Sequence, residues 1–300
     1  MTQLTDRPAA ASPTLQARGG PATARVARAR SGRWGRVLFY AAIGFFAVNV
    51  AGLVGTVLVD SFATEWFGTW LPPGLTTRWY EYIAADHDMP LLLFNTFFVA
   101  AATTLIALLL GFPAAYVLAR GTFRGRGLLA ALYALPMLVP PLVYGIPLAT
   151  LLLRLNLGDT LAGVVLINLV PIVPFVILIL APFIEQVDPS LEAASRMLGA
   201  GRWQTFRRVV LPLVVPGLLT AGLLAVVRTI AMFELTFLVA EAQSETLVVA
   251  LYNDAFAAGM RPVQAISALA VVYMLTTMAL LGIALFFVKP TQFVVRLKER

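Results

Sequence analysis

The run LAGVVLINLVPIVPFVILILAPFI, residues 161–184, carries no charged side chain. A bilayer hydrocarbon core of ~30 Å is crossed by about 20 apolar helical residues, so this stretch is read as a transmembrane helix. Working outward from it, similar apolar blocks are expected at Val37–Val59, Pro90–Ala119, Leu128–Leu153, Pro212–Ala240 and Ala265–Val288. The composition agrees: 60% of the 300 residues are hydrophobic and only 12% are charged, too few to keep a water-soluble domain of this size dissolved. The predicted fold is all-α, a polytopic membrane helix bundle of about six transmembrane helices. Prolines fall inside the blocks, at Pro113, Pro136, Pro140, Pro141, Pro147, Pro171 and Pro174. Each removes a backbone donor, and each is expected to bend its helix.

The basic residues orient the spans. With the N-terminus inside, eighteen of the 22 Lys and Arg fall in inner segments, and the outer ones hold only Arg78, Arg154 and Arg261. The positive-inside rule then places both termini in the cytoplasm. Residues 1–36 read as a disordered basic tail, 37–89 as the first span and its outer loop, and 289–300 as a second cytoplasmic tail. The net charge of +7 comes largely from the arginines of the first tail, which has no aromatic residue before Trp34. A solvated tail is favoured over one that binds RNA or anionic lipid, and no nucleic-acid partner is expected. The tail is not a secretory signal, because the apolar block after it is too long.

Several chemistries are excluded. No cysteine is present, and the single histidine, His87, cannot make a multi-imidazole zinc site. His87 is expected in a solvated outer loop. No Gly-rich phosphate loop of the GxxxxGK[ST] type occurs, so any ATP used belongs to another subunit.

The segment between the fourth and fifth spans is EQVDPSLEAASRMLGAGRWQTFRRVVLP, residues 185–212. Asp188 suits an N-cap and Pro189 the first helical position. Leu191, Ala194 and Leu198 then recur at helical spacing, and Gly199 sits where a residue of positive φ would end the helix. A second helix is predicted from about Arg202, with Trp203, Phe206 and Val210 on one face, and Pro212 is predicted to open the next span. Such an element can lie on lipid headgroups or seat its apolar face in a groove of a partner.

This loop resembles the EAA loop of the binding-protein-dependent ABC importer permeases, whose pattern runs EAA, three residues, Gly, nine residues, Ile, one residue, Leu-Pro. Gly199 takes the glycine, Val209 the isoleucine, and Leu211-Pro212 the Leu-Pro. Counting back puts Ala193, Ala194 and Ser195 at the EAA positions, with the glutamate one residue early at Glu192, a rotation of about 100° on a helix. The resemblance covers roughly residues 90–288. It includes Gly111–Arg120 with the basic turn Phe123–Arg126, Leu135–Pro141, and Thr246–Asn253. These segments look most like the spermidine/putrescine-type group.

The resemblance implies a type I ABC importer permease fold, with Glu192, Ala193, Ala194, Ser195, Gly199, Ala200, Val209, Leu211 and Pro212 in the ATPase-coupling loop. It also implies partners: an ABC ATPase subunit dimer that binds ATP and Mg, a second permease subunit of a different chain, and a periplasmic or lipid-anchored solute-binding protein. The chain would sit in the lipid of a bacterial inner membrane and hold no cofactor or metal of its own. Polyamine is the first expectation for the cargo, with sugar or polyol, phosphonate and ferric iron as alternatives.

Ionisable residues within a span usually face a cavity or a partner. Arg228 and Glu234 share the fifth block with Phe233. Six residues apart, the two charges are expected on helix faces about 120° apart. They are substrate-pathway candidates, with pairing to another helix as the plainer reading. Phe237, Tyr144 and Tyr252 are weighed likewise as cavity residues or packing anchors. An ion-coupled secondary transporter is the rival reading. It predicts an internal repeat, and none is convincing here. An intramembrane enzyme would need a catalytic cluster that the spans do not offer.

Overall fold

The computed structural model describes residues 33–256 and 261–287. Residues 1–32 of the expected first tail and the whole of the expected tail 289–300 lie outside the described residues. The chain divides within its first helix into two units, the second holding everything from Gly52 onward. The first helix, α1, runs Arg33–Phe62. Beyond Arg33 and Arg36, its portion before the division is apolar around its whole circumference. Its one amide there, Asn49, donates to the Phe45 carbonyl of the same helix at 2.8 Å, which satisfies it where no water is available.

The second unit continues through α2 (Arg78–Asp86), α3 (Met89–Arg120), α4 (Arg126–Leu138), α5 (Pro141–Arg154) and α6 (Leu161–Glu185). Two short helices, α7 (Pro189–Met197) and α8 (Arg202–Thr205), precede α9 (Leu211–Ile230), α10 (Phe233–Phe237), α11 (Leu247–Phe256) and α12 (Val263–Phe287). Among the described residues, five helices are long and apolar enough to cross a membrane, or six if the bent pair α4–α5 counts as one span. The fold is thus all-α and membrane-spanning, as the sequence predicts, and α3 and α6 begin and end within a residue of their expected limits.

α3 and α6 form the centre. Ile167, Ile172, Val176, Ile177, Leu180 and Ile184 of α6 are all buried. Small residues let the helices close on one another. A Cβ on Gly111 of α3 would stand 2.8 Å from Val176, and one on Gly217 of α9 would stand 2.6 Å from Phe183.

The prolines do not act alike. α6 runs unbroken through Pro171, Pro174 and Pro182. The break comes at Pro140-Pro141, where α4 and α5 meet at 91°. Two consecutive prolines explain it. Each pushes the residue before it out of the helical region, and Val139 and Pro140 both have ψ of 134°.

The fifth block is corrected at both ends. The helix predicted from about Arg202 passes through a π turn at Phe206–Val210 and runs on into the span without a break at Pro212, and the span ends at Ile230 rather than at Ala240. Met232 then leaves helical geometry and α10 follows. No glycine or proline marks this second break, and tertiary packing accounts for it. Leu235 of α10 fills the space above Gly145 of α5, where a Cβ would meet it at 2.7 Å. Thr236 accepts from Asn168 Nδ2 of α6 at 3.0 Å.

Two polar clasps close the end of the bundle where α3 and α6 start. Asp159, with φ of 49°, accepts at one carboxylate oxygen from the amides of Glu241, Gln243 and Ser244 and from the Ser244 hydroxyl. The second clasp corrects the reading of His87 as a solvated loop residue. Its Nε2 lies 3.0 Å from Oδ2 of buried Asp254, and Arg261 bridges Asp254 and Asp86. Among the described residues, no group of three His, Cys, Asp or Glu is placed to hold a metal ion.

The hydrogen bond to Asp254 raises the His87 pKa above its ordinary 6.5, aided by the Asp254 and Asp86 charges and opposed by burial and Arg261. A raised pKa in the folded state adds stability that is complete below the unfolded value and disappears as pH rises through the folded one. The thermal midpoint of the wild type over that of His87→Gln should therefore be largest below pH 6.5 and shrink with rising pH. A gap that is flat or widens with pH would contradict the clasp.

Candidate functional site

The loop between α6 and α9 is built from its caps inward. Asp188 accepts from the Ser190 amide at 2.8 Å and Pro189 takes the first helical position. The far end of α7 closes as the sequence indicates. Gly199 has φ of +85°. Its amide donates to Arg196, and the Ala200 amide to Ser195, at 3.0 and 3.1 Å. This crossed pair of bonds satisfies carbonyls that the helix end would leave open.

The face of α7 turned toward the bundle is not the apolar one. Leu191, Ala194 and Leu198, which recur at helical spacing, are exposed together with Ala193, and the buried residue is Glu192, at 4%. Its Oε1 accepts from Arg120 Nε at 2.9 Å and its Oε2 from the Tyr116 hydroxyl at 2.7 Å. Arg196 approaches the same Oε2 at 3.4 Å. Arg120 also donates to the Val187 carbonyl at 2.6 Å, so one guanidinium ties the end of α3 to both sides of the turn into α7. The one-residue displacement of the glutamate is what aims it at α3. Tyr116 and Arg120 stand in the sequence as members of the segment 111–120. Their role is not legible there, because no local pattern relates them to a carboxylate some seventy positions away.

α8 is fixed by other means. Ser195 Oγ lies 3.1 Å from Thr205 Oγ1, and Thr205 is buried. Phe206 packs on Phe112 and Tyr116 of α3, while Trp203 stacks on Phe206 from outside with ring centres 5.6 Å apart. Val210 is fully buried, so the expected face of the second helix is buried at one end and open at Trp203. Val209 falls in the π turn, and the Leu211 amide reaches back five residues to the Phe206 carbonyl. Pro212 follows in the first turn of α9. A proline at that position would leave the Arg208 carbonyl unpaired and crowded in an α-helix, and the wider turn relieves both. The loop so braced projects Met197 and Leu198 outward, 84% and 89% exposed.

The candidates within the bundle are placed differently from expectation. The break after Ile230 puts Arg228 on α9 and Glu234 with Phe233 on α10, so no single helix relates the two charges. The Arg228 guanidinium carbon lies 4.9 Å from the centre of the Phe175 ring. Phe233, Phe237 and Tyr252 pack ring against ring, with Phe256 beyond them.

Known proteins resemble this chain both in sequence and in fold. The probable molybdenum ABC transporter permease of Haloferax volcanii is 38% identical over 49% of this chain and 57% of its own length. The sulfoquinovosyl glycerol transport system permease SmoH of Agrobacterium fabrum is 34% identical over 53% of this chain and 56% of its own. The chain thus spans little more than half the length of these relatives. A chain from the crystal structure of a bacterial ABC transporter involved in the import of alginate, an acidic polysaccharide, superposes with a TM-score of 0.69. It covers 85% of this chain and 96% of the other at 20% identity, a likeness of fold. The model of the family described as binding-protein-dependent transport system inner membrane component matches residues 107–291, more than half of the sequence. The chain therefore belongs to that family of multi-pass membrane transport components.

Proposed function

We propose that this chain is the permease subunit of an ATP-driven importer, with residues 90–288 forming its transport core and residues 185–212 its contact with an ATPase subunit. The observation that carries the reading is the braced loop: a capped helix locked to α3 through buried Glu192, with Met197 and Leu198 left bare at its tip. An exposed apolar tip on a rigid base suits a groove on a partner protein better than a lipid surface, because its stiffness would transmit a push. Closure of the ATPase pair around ATP and Mg would move the loops, and the spans would rock to open the pathway outward. There a solute-binding protein delivers the cargo. The pathway is completed by a second permease subunit, a different chain in this proposal. The basic residues of the loop and both tails support a cytoplasmic location for this side.

The relatives named above carry molybdenum and a sugar glycerol in their names rather than a polyamine. The polyamine expectation rests on segment resemblance and on Glu234, which lies beyond the break in its span. An oxyanion or a sugar is the cargo favoured here. Membership in this family speaks against the ion-coupled carrier.

Because the chain has no cysteine, Leu198→Cys gives a single thiol at the loop tip. Co-expressed with its ATPase subunit, it should cross-link to that subunit, whereas Leu153→Cys at the far end of α5 should not. A tip thiol that captures lipid-soluble reagents only would sink the docking assignment. Gly199→Asp should abolish ATP-coupled uptake while membrane insertion is retained. A side chain there meets no atom of this chain within 4 Å, so the harm comes from a carboxylate set at the negative end of α7, beside the tip that docks, and from a positive φ that suits glycine better. Normal uptake would remove Gly199 from the coupling role.

A further inference from the structure

Among the described residues of the bundle, Arg228 has no ion-pair partner. Arg228 Nε is buried without a hydrogen-bond partner, and the ion pairs found among the described residues join other groups. The ring of Phe175 beneath the guanidinium offsets only a fraction of its desolvation. Glu234 would be the natural counter-ion, and the break at Ala231–Met232 holds it on a separate helix with no ion pair to Arg228.

A second orphan lies nearby. Tyr144, in the first turn of α5, has its hydroxyl buried without a partner and lies within electrostatic reach of both Arg228 and Glu234. Its side chain lines a cavity of about 460 Å³ in the elbow between α4 and α5, whose other walls include Leu135, Pro136, Leu148 and Val170. The rest of that lining is apolar, so the cavity gives a polar ligand no other side chain to bind. Buried polar groups are nearly always paired, and two unpaired ones within electrostatic reach of each other, one of them lining the cavity, mark a place where a ligand supplies the missing partner.

We propose that Arg228 and Tyr144 receive an oxyanion group of the cargo as it passes the α4–α5 elbow, so that the transported solute is an anion. This rests on the importer reading and narrows it. The guanidinium supplies charge and donors in a planar fork that matches an oxyanion, and the phenol adds one more donor. Glu234, close to the same hydroxyl, repels the anion. It keeps the site weak enough to release what it binds, as a transport path requires. The group can belong to an inorganic oxyanion or to an acidic sugar.

The test applies whatever the cargo is. Leu148→Cys places a unique thiol in the cavity wall of the assembled transporter in membrane vesicles. Its rates of modification by an anionic sulfonatoethyl and a cationic trimethylammonium methanethiosulfonate are compared, each relative to a free thiol in solution. A preference for the anionic reagent of about tenfold is expected, lost in Arg228→Gln and kept in Arg228→Lys. A thiol that prefers the cation, a preference that survives Arg228→Gln, or a thiol closed to both reagents overturns the proposal. Protection by molybdate identifies an inorganic oxyanion, and protection by glucuronate alone identifies an acidic sugar. Protection by neither, or by putrescine or trehalose instead, overturns it as well. The importer reading stands or falls separately, on the cross-link at position 198.

Discussion

Glu192→Ala should cut the yield of the Leu198→Cys cross-link and abolish coupled uptake, with the protein still inserted in the membrane. The carboxylate is nearly fully buried, and its partner Arg120 is itself only 17% exposed. Removing one member of such a pair leaves the other desolvated and uncompensated, a loss of about 3–5 kcal/mol. The damage is local, because the pair joins α7 to α3 and the core of α3 and α6 does not depend on it. Two companions separate charge from shape. Glu192→Gln keeps the volume and one acceptor, so it should retain part of the cross-link. The double variant Glu192→Met with Arg120→Met removes both charges and should be less destabilised than Glu192→Ala alone. A single variant that cross-links and transports like the wild type would show that α7 holds its position without the pair.

Gly163→Ala should be the most destabilising single methyl in the molecule. Thr160 caps α6 by accepting from the Gly163 amide at 3.0 Å, which draws the preceding connection tightly over the helix. A Cβ on Gly163 would stand 2.1 Å from the Leu157 carbonyl oxygen, a backbone atom that cannot rotate away. Overpacking of this kind costs about 1–3 kcal/mol where side chains alone must move, and more is expected where the main chain must. The displaced connection carries Asp159, so its bonds to residues 241–244 should fail with it. Thermal unfolding in detergent should show a clear fall in midpoint. Gly282→Ala, inside α12 and with no atom within 4 Å of the added carbon, should hold the midpoint or raise it slightly, because alanine favours helix over glycine. Equal midpoints for the two variants would refute the argument.

What can be read from the sequence follows from what bilayers and helix caps demand. The long blocks at 90–119 and 161–184 are legible because only a helix satisfies its own backbone in hydrocarbon. Asp188, Pro189 and Gly199 are legible because a cap is a local event. The break after Ile230 is not, since what ends the helix is Gly145 and Asn168 on other helices, far away in sequence. Glu192 shows the same limit from the other side. Spacing gives the angle of its carboxylate on α7, while whether that angle meets water or an arginine depends on where α3 ends. His87 reads as solvated for want of any sign that Asp254 and Arg261 return to it. Leu198 reads as part of an apolar face for lipid or for a partner, because apolarity in a short helix marks an interface without saying whose.

The π turn at Phe206–Val210 amounts to one surplus residue wound into an otherwise regular rod. A plain α-helix over the same number of residues would turn everything before it by about 100° further around the axis. The compass bearing of α8, and of the Ser195–Thr205 contact that steers α7, is therefore set by the width of this turn, which Pro212 favours. Tightening the turn to a plain α-helix without removing a residue would swing the loop tip to another heading and pull Phe206 off Phe112 and Tyr116 of α3.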